Sequence, residues 1–528
     1  MKRFSLLYLF AFSTFFVSAQ NTLGVTFTGA NIDEGYTLFT HPSSKKVYLI
    51  DNCGRVLNQW EFFENAGLTT YLLPNGNLLY AGKDSLTIHD WDDNPVWSYP
   101  TTANGIRAHH DIEPLPNGNI LCIASSTRTS AELTQEGRDP NLIGASFKLD
   151  GIVEIEPVGT NGGNIVWEWS FWDHLIQDFD ATKNNFGVVE DHPELIDLNY
   201  DHGDNTDWNH VNGIDYNADL DQIIISSRNF DEVYIIDHST TTAESQGHAG
   251  GNGGRGGDFL WRWGNAEAYR QGTQADRHID GPHDPKWVNS GYLHDGKITI
   301  FDNGGDGTGT ASEVVMVDPT VTGSNYSMTA GEFDPQVPFS VWSGNNVPTP
   351  LFSPKKSGAM ALPNGGYIVC ESQGGRFVEV NEQGEVVWIY INPVTQQGVQ
   401  NQYYTFSGFE NEAFRAEKYP VNYAGFIGKQ FDAPQILEDV NNLSDGCIST
   451  ASVNVNDQVQ IQVVNPVENG ALEISGSDAT TQFQLVNLNG QVLDQWEGSS
   501  RQLEVTAGVY LLNWTSGTVT GSARVLIQ

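Results

Sequence analysis

The most regular stretch of the chain is DWNHVNGIDYNADLDQIIISSRNFDEVYIID, from Asp207 to Asp237. Apolar and polar positions alternate over Val211–Tyr216, Asn217–Asp221 is turn material, and Gln222–Ser227 and Glu232–Ile236 are β-branched runs. A period of two broken by polar turns predicts successive antiparallel strands. Two phrases carry this pattern along the chain. The first is an Asn-Gly turn feeding an apolar strand: LPNGNLLYAG from Leu73, LPNGNILCIA from Leu115 and LPNGGYIVCE from Leu362. The second is a turn and an apolar run ending in an aromatic: GRVLNQW (Gly54–Trp60), DDNPVW (Asp92–Trp97), GNIVWEW (Gly163–Trp169), GDFLWRW (Gly257–Trp263) and GEVVWIY (Gly384–Tyr390).

Phrases that return at a fixed spacing mark a repeat architecture. The first two LPNG turns begin at Leu73 and Leu115, one four-stranded blade apart. Roughly six such blades fill the chain, so the expected fold is all-β, a six-bladed β-propeller over residues 20–440. Helical signal is weak, with one short helix expected inside Asp173–Asp197. Asp201–Asp207 and the glycine-rich Ala249–Asp258 read as loops. Asp302–Gly309 reads as a turn, because it lacks the carboxylate spacing and closing glutamate of an EF-hand.

Both ends of the chain differ in character. Residues 1–19 are expected to be a secretory signal peptide: Lys2 and Arg3, the apolar Phe4–Val17, then the small-residue step Val17-Ser18-Ala19. No other run is long and apolar enough to span a bilayer. Past Val440 a polar linker (441–456) leads to short strands and turns with few charges (457–528), expected to form a small C-terminal β-sandwich. Export permits disulfides, and Cys53, Cys122, Cys370 and Cys447 allow three pairings. Cys122 and Cys370 both fall inside apolar strands, which leaves burial as free thiols open beside pairing. The net charge of −39 argues against nucleic acid and anionic membranes as partners. An anionic substrate would therefore have to be drawn in by a local pocket of donors.

Such a pocket is indicated by four elements. His109, His110 and Asp111 precede one strand; His210 and Asn212 open the next; Arg228 ends the strand paired with it; His283 leads into a third. In an up-and-down pair, the start of one strand lies beside the end of its neighbour, so imidazole, amide and guanidinium converge at one rim. Any one of these residues alone reads as a strand-end cap. Three blades repeating the arrangement indicate a shared site. A neutral imidazole, with a pKa of about 6.5, is a competent nucleophile at neutral pH, and a guanidinium grips a tetrahedral oxyanion in a bidentate fork.

The phrases D-W-x-H-V-N-x-I-D-Y…D-x-I-I-I-S-S-R (Asp207–Arg228), H-D-I-x-x-L-P-N-G-N (His110–Asn119), P-H-D…I-T-I-F-D-N-G (Pro282–Gly304), S-G-A-M-A-L-P-N-G (Ser357–Gly365) and F-R-A-E-K-Y-P (Phe414–Pro420) resemble the bacterial arylsulfotransferases that use no nucleotide sulfate donor. The resemblance implies a six-bladed propeller with its site in the central channel. It implies that His283 is the transiently sulfurylated histidine, that His210 and Arg228 bind the sulfuryl group, and that Asn212 is an accompanying amide. It further implies one active-site histidine, for which His109 and His110 compete, and a hydroxyl ligand at Ser357. The donor would be an aryl sulfate and the acceptor a phenol, with no cofactor and no metal. The tail, through N-P-V-x-N-G-x-L-x-I (Asn465–Ile474), F-x-L-x-N-x-x-G-Q-V (Phe483–Val492) and G-V-Y-L-L (Gly508–Leu512), resembles type IX secretion sorting domains. That resemblance implies delivery across the outer membrane by that machinery, to the cell surface or the medium. Two rival readings remain: a metal-dependent polysaccharide lyase or hydrolase using His110, His210 and His283 with Asp111 or Asp284, and a glycan-binding propeller. Arg228 opposes the first, because a guanidinium repels a dication.

Overall fold

The computed structural model describes residues 21–203, 206–304, 311–431 and 435–438, and, near the C-terminus, 462–463, 471–472, 474–475, 480–486, 492–498, 501–502, 508–516 and 519–527. The chain forms two compact units, Met1–Ser449 and Thr450–Gln528. The expected signal peptide and linker lie outside the described residues.

The first unit is nearly all-β. Among its described residues, six antiparallel sheets of four or five strands follow one another. The first contains Gly35–Thr40, Lys46–Ile50 and Arg55–Glu61. The second runs from Ala66–Leu72 to Pro95–Tyr99, and the third from Ala108–Pro114 to Gly162–Ser170. Val211–Asn217 to Trp261–Trp263 make the fourth, His283–Trp287 to Ser340–Trp342 the fifth, and Gly358–Ala361 to Val386–Ile391 the sixth. The chain ends cross-link the series. Ala416–Pro420 returns to pair with Gly35–Thr40 as the innermost strand of the first sheet, and Gly24–Thr28 adds to the outside of the sixth.

Both repeated phrases have a structural reason. In each LPNG turn the asparagine side chain accepts a backbone N–H two residues on, and the glycine adopts a positive φ (83°, 90° and 85° at Gly76, Gly118 and Gly365) that a side chain would oppose. A tryptophan on the fourth strand, supplied by the aromatic phrase in every sheet but the fifth, sends its indole N–H to the neighbouring sheet. Trp60 donates to Asp90 O, Trp97 to Gly162 O, Trp167 to Thr240 Oγ1, Trp261 to Asp334 O, Trp342 to Gly384 O and Trp388 to Asn52 O. The last of these bonds joins the sixth sheet to the first.

Between each adjacent pair of sheets lies an apolar cluster, from the pair formed by the first and second sheets round to that of the sixth and first. Trp60 and Leu49, for example, meet Leu78 and Tyr80. Removing a fully buried tryptophan such as Trp60 would cost about 3–5 kcal/mol, through lost transfer energy and the cavity left behind. Cys122 and Cys370 are buried free thiols inside these clusters, and Cys53 is disulfide-bonded.

The expected helix within Asp173–Asp197 is a correction. Only 3-10 turns form near it, at Phe171–His174 and Val189–Asp191. The Gln177 side chain takes the N–H groups of Phe179 and Asp180, a local alternative to helical bonding, and Pro193 lacks an N–H. The second unit holds a four-stranded antiparallel sheet in the order Val492–Glu497, Gln482–Val486, Gly508–Ser516, Val519–Ile527. Two short strand pairs accompany it.

Candidate active site

The innermost strands of the six sheets lie side by side, and the sequence-predicted residues sit where several of them begin. Register breaks accompany them. The inner strand pair of the second, third, fourth and fifth sheets each carries an irregularity, at Ala66/Thr70, Cys122/Ala124, Val211/Gly213 and His283/Lys286. A bulge bends a strand and re-aims its side chains. Left-handed backbone gathers here too: His110 (φ 57°), His210 (45°), Asp284 (52°), Lys356 (59°) and Ser357 (78°). Such strain in non-glycine residues persists only where surrounding contacts enforce it, and it clusters at functional sites.

The strands also approach closely. A Cβ at Gly213 would lie 2.6 Å from Pro285 Cδ, and one at Gly358 would lie 2.0 Å from Asp284 Oδ2. Only glycine lets the fourth, fifth and sixth sheets meet at this level.

Three imidazoles form one cluster. Ring centroids are 3.9 Å apart for His109 and His110, 4.7 Å for His110 and His210, and 5.4 Å for His109 and His210. His109 Nδ1 lies 3.2 Å from Asp150 Oδ1. His210 Nδ1 is 2.7 Å from Asp207 Oδ2. Burial works to raise the Asp207 pKa, but the His210 hydrogen bond and the charges of His210, Lys148 and His109 bring it to about 2. Asp207 is therefore an ionised acceptor that fixes the proton on His210 Nδ1 and leaves Nε2 as the ring's free edge. His110 Nδ1 is buried and has no hydrogen-bond partner. Burial holds the His110 pKa well below 6.5, helped by His109, His210, His283 and Arg415, so this ring is neutral.

His283 is fully oriented. Its Nδ1 is 2.7 Å from Asn303 Oδ1 and 3.0 Å from Gly281 O, two acceptors, so Nδ1 carries the proton. The lone pair is then on Nε2, which accepts the Lys356 backbone N–H at 3.0 Å. Burial and the nearby Arg415 charge depress the His283 pKa far below 6.5, against the pull of the Gly281 and Asn303 hydrogen bonds.

Asn212 is buried in the fourth sheet. Its Nδ2 donates to Pro282 O at 2.9 Å and its Oδ1 accepts from Ser226 Oγ, so it secures the backbone just before His283. The Arg228 backbone N–H donates to His210 O at 3.1 Å, which places the end of one strand beside the start of its neighbour. The half-buried Arg228 side chain packs beside Gly281, with Cγ 3.8 Å from a Cβ built there, and Nη1 is 3.2 Å from Asn229 Oδ1. Ser357 is buried, and its Oγ accepts the Ser372 N–H at 3.0 Å. The structure thus gathers all seven sequence-predicted residues into one connected group.

Sequence reasoning missed Asp207, Asn303 and Lys356, and above all Arg415. This arginine is buried at the start of the returning strand Ala416–Pro420. Its Nε is 2.9 Å from Asp284 Oδ1, Nη1 donates to Ser357 O at 2.5 Å, Nη2 donates to Asn212 O at 3.2 Å, and Asp111 Oδ2 is 3.9 Å from Nη2. It thereby fixes the residues that neighbour His110 and His283 in the chain, as well as Asn212 and Ser357. Its position before an inner strand, like that of each histidine, was the available signal.

A cyclic series of antiparallel sheets, with imidazoles and arginines collected where inner strands begin, defines a nearly all-β protein with a composite site. Residues 29–329 match the Arylsulfotransferase (ASST) family, and the chain belongs to that family. Membership supports a transferase acting on aryl sulfates and phenols. No curated protein matches the sequence. Similar solved structures include a protein of unknown function from Bacteroides caccae, at 12% identity over 73% of this chain and 98% of that one, with a TM-score of 0.39. A streptogramin B lyase shares 12% identity over 76% of this chain and 95% of its own, with a TM-score of 0.35. A virginiamycin B lyase from Staphylococcus aureus shares 11% over 70% and 89%, with a TM-score of 0.33.

Proposed function

We propose that the protein is a six-bladed propeller enzyme that moves a sulfuryl group from an aryl sulfate to a phenol through a sulfohistidine at His283. The observation that carries this reading is the state of His283: a neutral ring, proton locked on Nδ1, lone pair on Nε2, beside two other imidazole-bearing strands and Arg228. In the first half-reaction Nε2 attacks sulfur, the N–S bond forms, and the ester S–O bond breaks. The leaving phenolate takes the Nε2 proton of a doubly protonated His210, whose Nδ1–H stays on the Asp207 carboxylate, so the ring is left neutral to accept the next proton. In the second, the acceptor phenol gives its proton back to His210 and its oxygen attacks sulfur, breaking the N–S bond. The two halves share one site, which gives ping-pong kinetics.

Arg228 supplies a forked donor for sulfuryl oxygens, which a lysine could not reproduce. The Lys356 N–H, held 3.0 Å from Nε2, becomes a donor to a sulfuryl oxygen once Nε2 is substituted. His110, with its unpartnered buried Nδ1, completes the ring of groups around the transferred anion. The carboxylates that a metal-lyase reading would require are committed elsewhere. Asp284 is paired with Arg415, and Asp111 accepts from Thr69 Oγ1 and Tyr71 Oη.

The test is turnover of 4-nitrophenyl sulfate with phenol as acceptor. Aryl sulfate should form from phenol, and His283→Ala should abolish the reaction. Retained turnover in that variant removes His283 from the chemistry. We further propose export through the N-terminal signal and delivery by type IX secretion through residues 457–528, folded as a small β-sandwich. Deleting 457–528 should then leave the enzyme in the periplasm, whereas unchanged surface or medium levels would count against it.

A further inference from the structure

A second cluster of metal-binding side chains lies outside the proposed active site. His174 ends the 3-10 turn Phe171–His174 after the outer strand of the third sheet. His248 and Asp258 flank the glycine-rich loop that follows the third strand of the fourth sheet. His174 Nδ1 is 2.7 Å from Asp258 Oδ1, and His248 Nδ1 is 2.8 Å from the same oxygen. Ligand atoms of all three residues fall within 4.8 Å of one another.

The hydrogen bonding around the cluster suits a metal ligand. His174 is fully buried, and its Nε2 is 2.9 Å from the Ser245 carbonyl oxygen, which can only accept. That leaves Nδ1 as the ring atom facing Asp258 Oδ1, on which His248 Nδ1 converges from the exposed side. A metal-bound histidine commonly donates its other ring N–H to a carbonyl that fixes tautomer and orientation.

The surroundings fit a clip. Trp169 stacks on His174 at 5.6 Å and 11°, and its indole donates to Gly257 O. A Cβ at Gly257 would lie 2.7 Å from His174 Nε2, so the loop is pressed against the ring. Seven of the eleven residues from Gly247 to Gly257 are glycine, and ordering such a segment carries a large entropic cost. A metal spanning the two sheets would offset it.

We propose that His174, His248 and Asp258 bind a divalent transition metal of the zinc type, with water in the remaining position on the exposed His248 side. Two imidazoles and one carboxylate are a zinc-like donor set, and its role is to pin the glycine loop of the fourth sheet to the third.

The test uses the full chain, stripped with chelator, reloaded with ZnCl2, desalted and measured for bound zinc. Wild type should retain one more equivalent than His248→Ala. That side chain is mostly exposed, so the variant should fold. His248→Cys should restore the equivalent, because thiolate also ligates zinc. Zinc should raise the melting temperature of wild type and not that of His248→Ala. Cobalt in place of zinc should give visible ligand-field bands that His248→Ala lacks. Equal zinc stoichiometry in wild type and His248→Ala, or no melting shift in wild type, overturns the proposal.

Discussion

Asn303 is the most informative residue to change, because it touches His283 and the covering loop at once. Its Oδ1 accepts from His283 Nδ1 at 2.7 Å, and its Nδ2 donates to Ser353 O at 2.6 Å and Lys356 O at 3.0 Å. In Asn303→Ala the imidazole keeps only Gly281 O, and two loop carbonyls lose a donor. A buried polar group left without its partner costs about 1–3 kcal/mol. Two such carbonyls total about 2–6 kcal/mol; if roughly half appears in the barrier, sulfuryl transfer to His283 slows about 5–150-fold, equivalent to about 1–3 kcal/mol. The assay is single-turnover release of 4-nitrophenol from 4-nitrophenyl sulfate without acceptor, which isolates the first half-reaction. Asn303→Asp is the control. It keeps the acceptor oxygen but adds negative charge, which favours protonated His283, so its rate should recover as pH rises. A burst rate within twofold of wild type in Asn303→Ala would refute the claim that this hydrogen bond orients the nucleophile.

Other expectations follow from the same geometry. Arg228→Met should lower the rate by about 10²–10³, as for removal of one oxyanion donor, and Arg228→Lys should not rescue it. The pKa values of His283 and His110 are both depressed, chiefly by burial, so the neutral forms persist as pH falls below 6.5. The first half-reaction should therefore keep its rate at pH 6.5, and an acid limb centred there would contradict this. Arg415→Met takes the nearest cation from the buried carboxylates of Asp284 and Asp111 and should destabilise the protein by about 3–5 kcal/mol in urea unfolding. Gly358→Ala places a Cβ on Asp284 Oδ2 and should lower activity more than a nearby surface substitution does, read in the same burst assay.

Much of the fold was legible because its determinants are local. β-branched runs marked Gln222–Ser227 and Glu232–Ile236 as strands, and the Asn-Gly turns after Leu73, Leu115 and Leu362 join the first two strands of their sheets. The tryptophan phrase was visible as a repeat, but its purpose was not. Each indole bonds to a group 30 or more residues away, as Trp60 does to Asp90 O. His110, His210 and His283 could be singled out because each opens an inner strand. Most of the groups that fix this site could not, because their partners are distant in sequence: Asn212 and Arg415 are 203 residues apart, and Lys356 meets His283 across 73. The helix expected inside Asp173–Asp197 failed for a local reason, side-chain capture of backbone amides by Gln177, which composition does not reveal.

The central claim is a covalent one, and mass measurement addresses it directly. The protein is incubated with 4-nitrophenyl sulfate alone, quenched at alkaline pH, and its intact mass and peptides are recorded. A gain of about 80 Da, the mass of SO3, located on the peptide bearing His283 and discharged on adding phenol, is the predicted result. Stoichiometric nitrophenol release with no adduct, or an adduct on another residue, would contradict it.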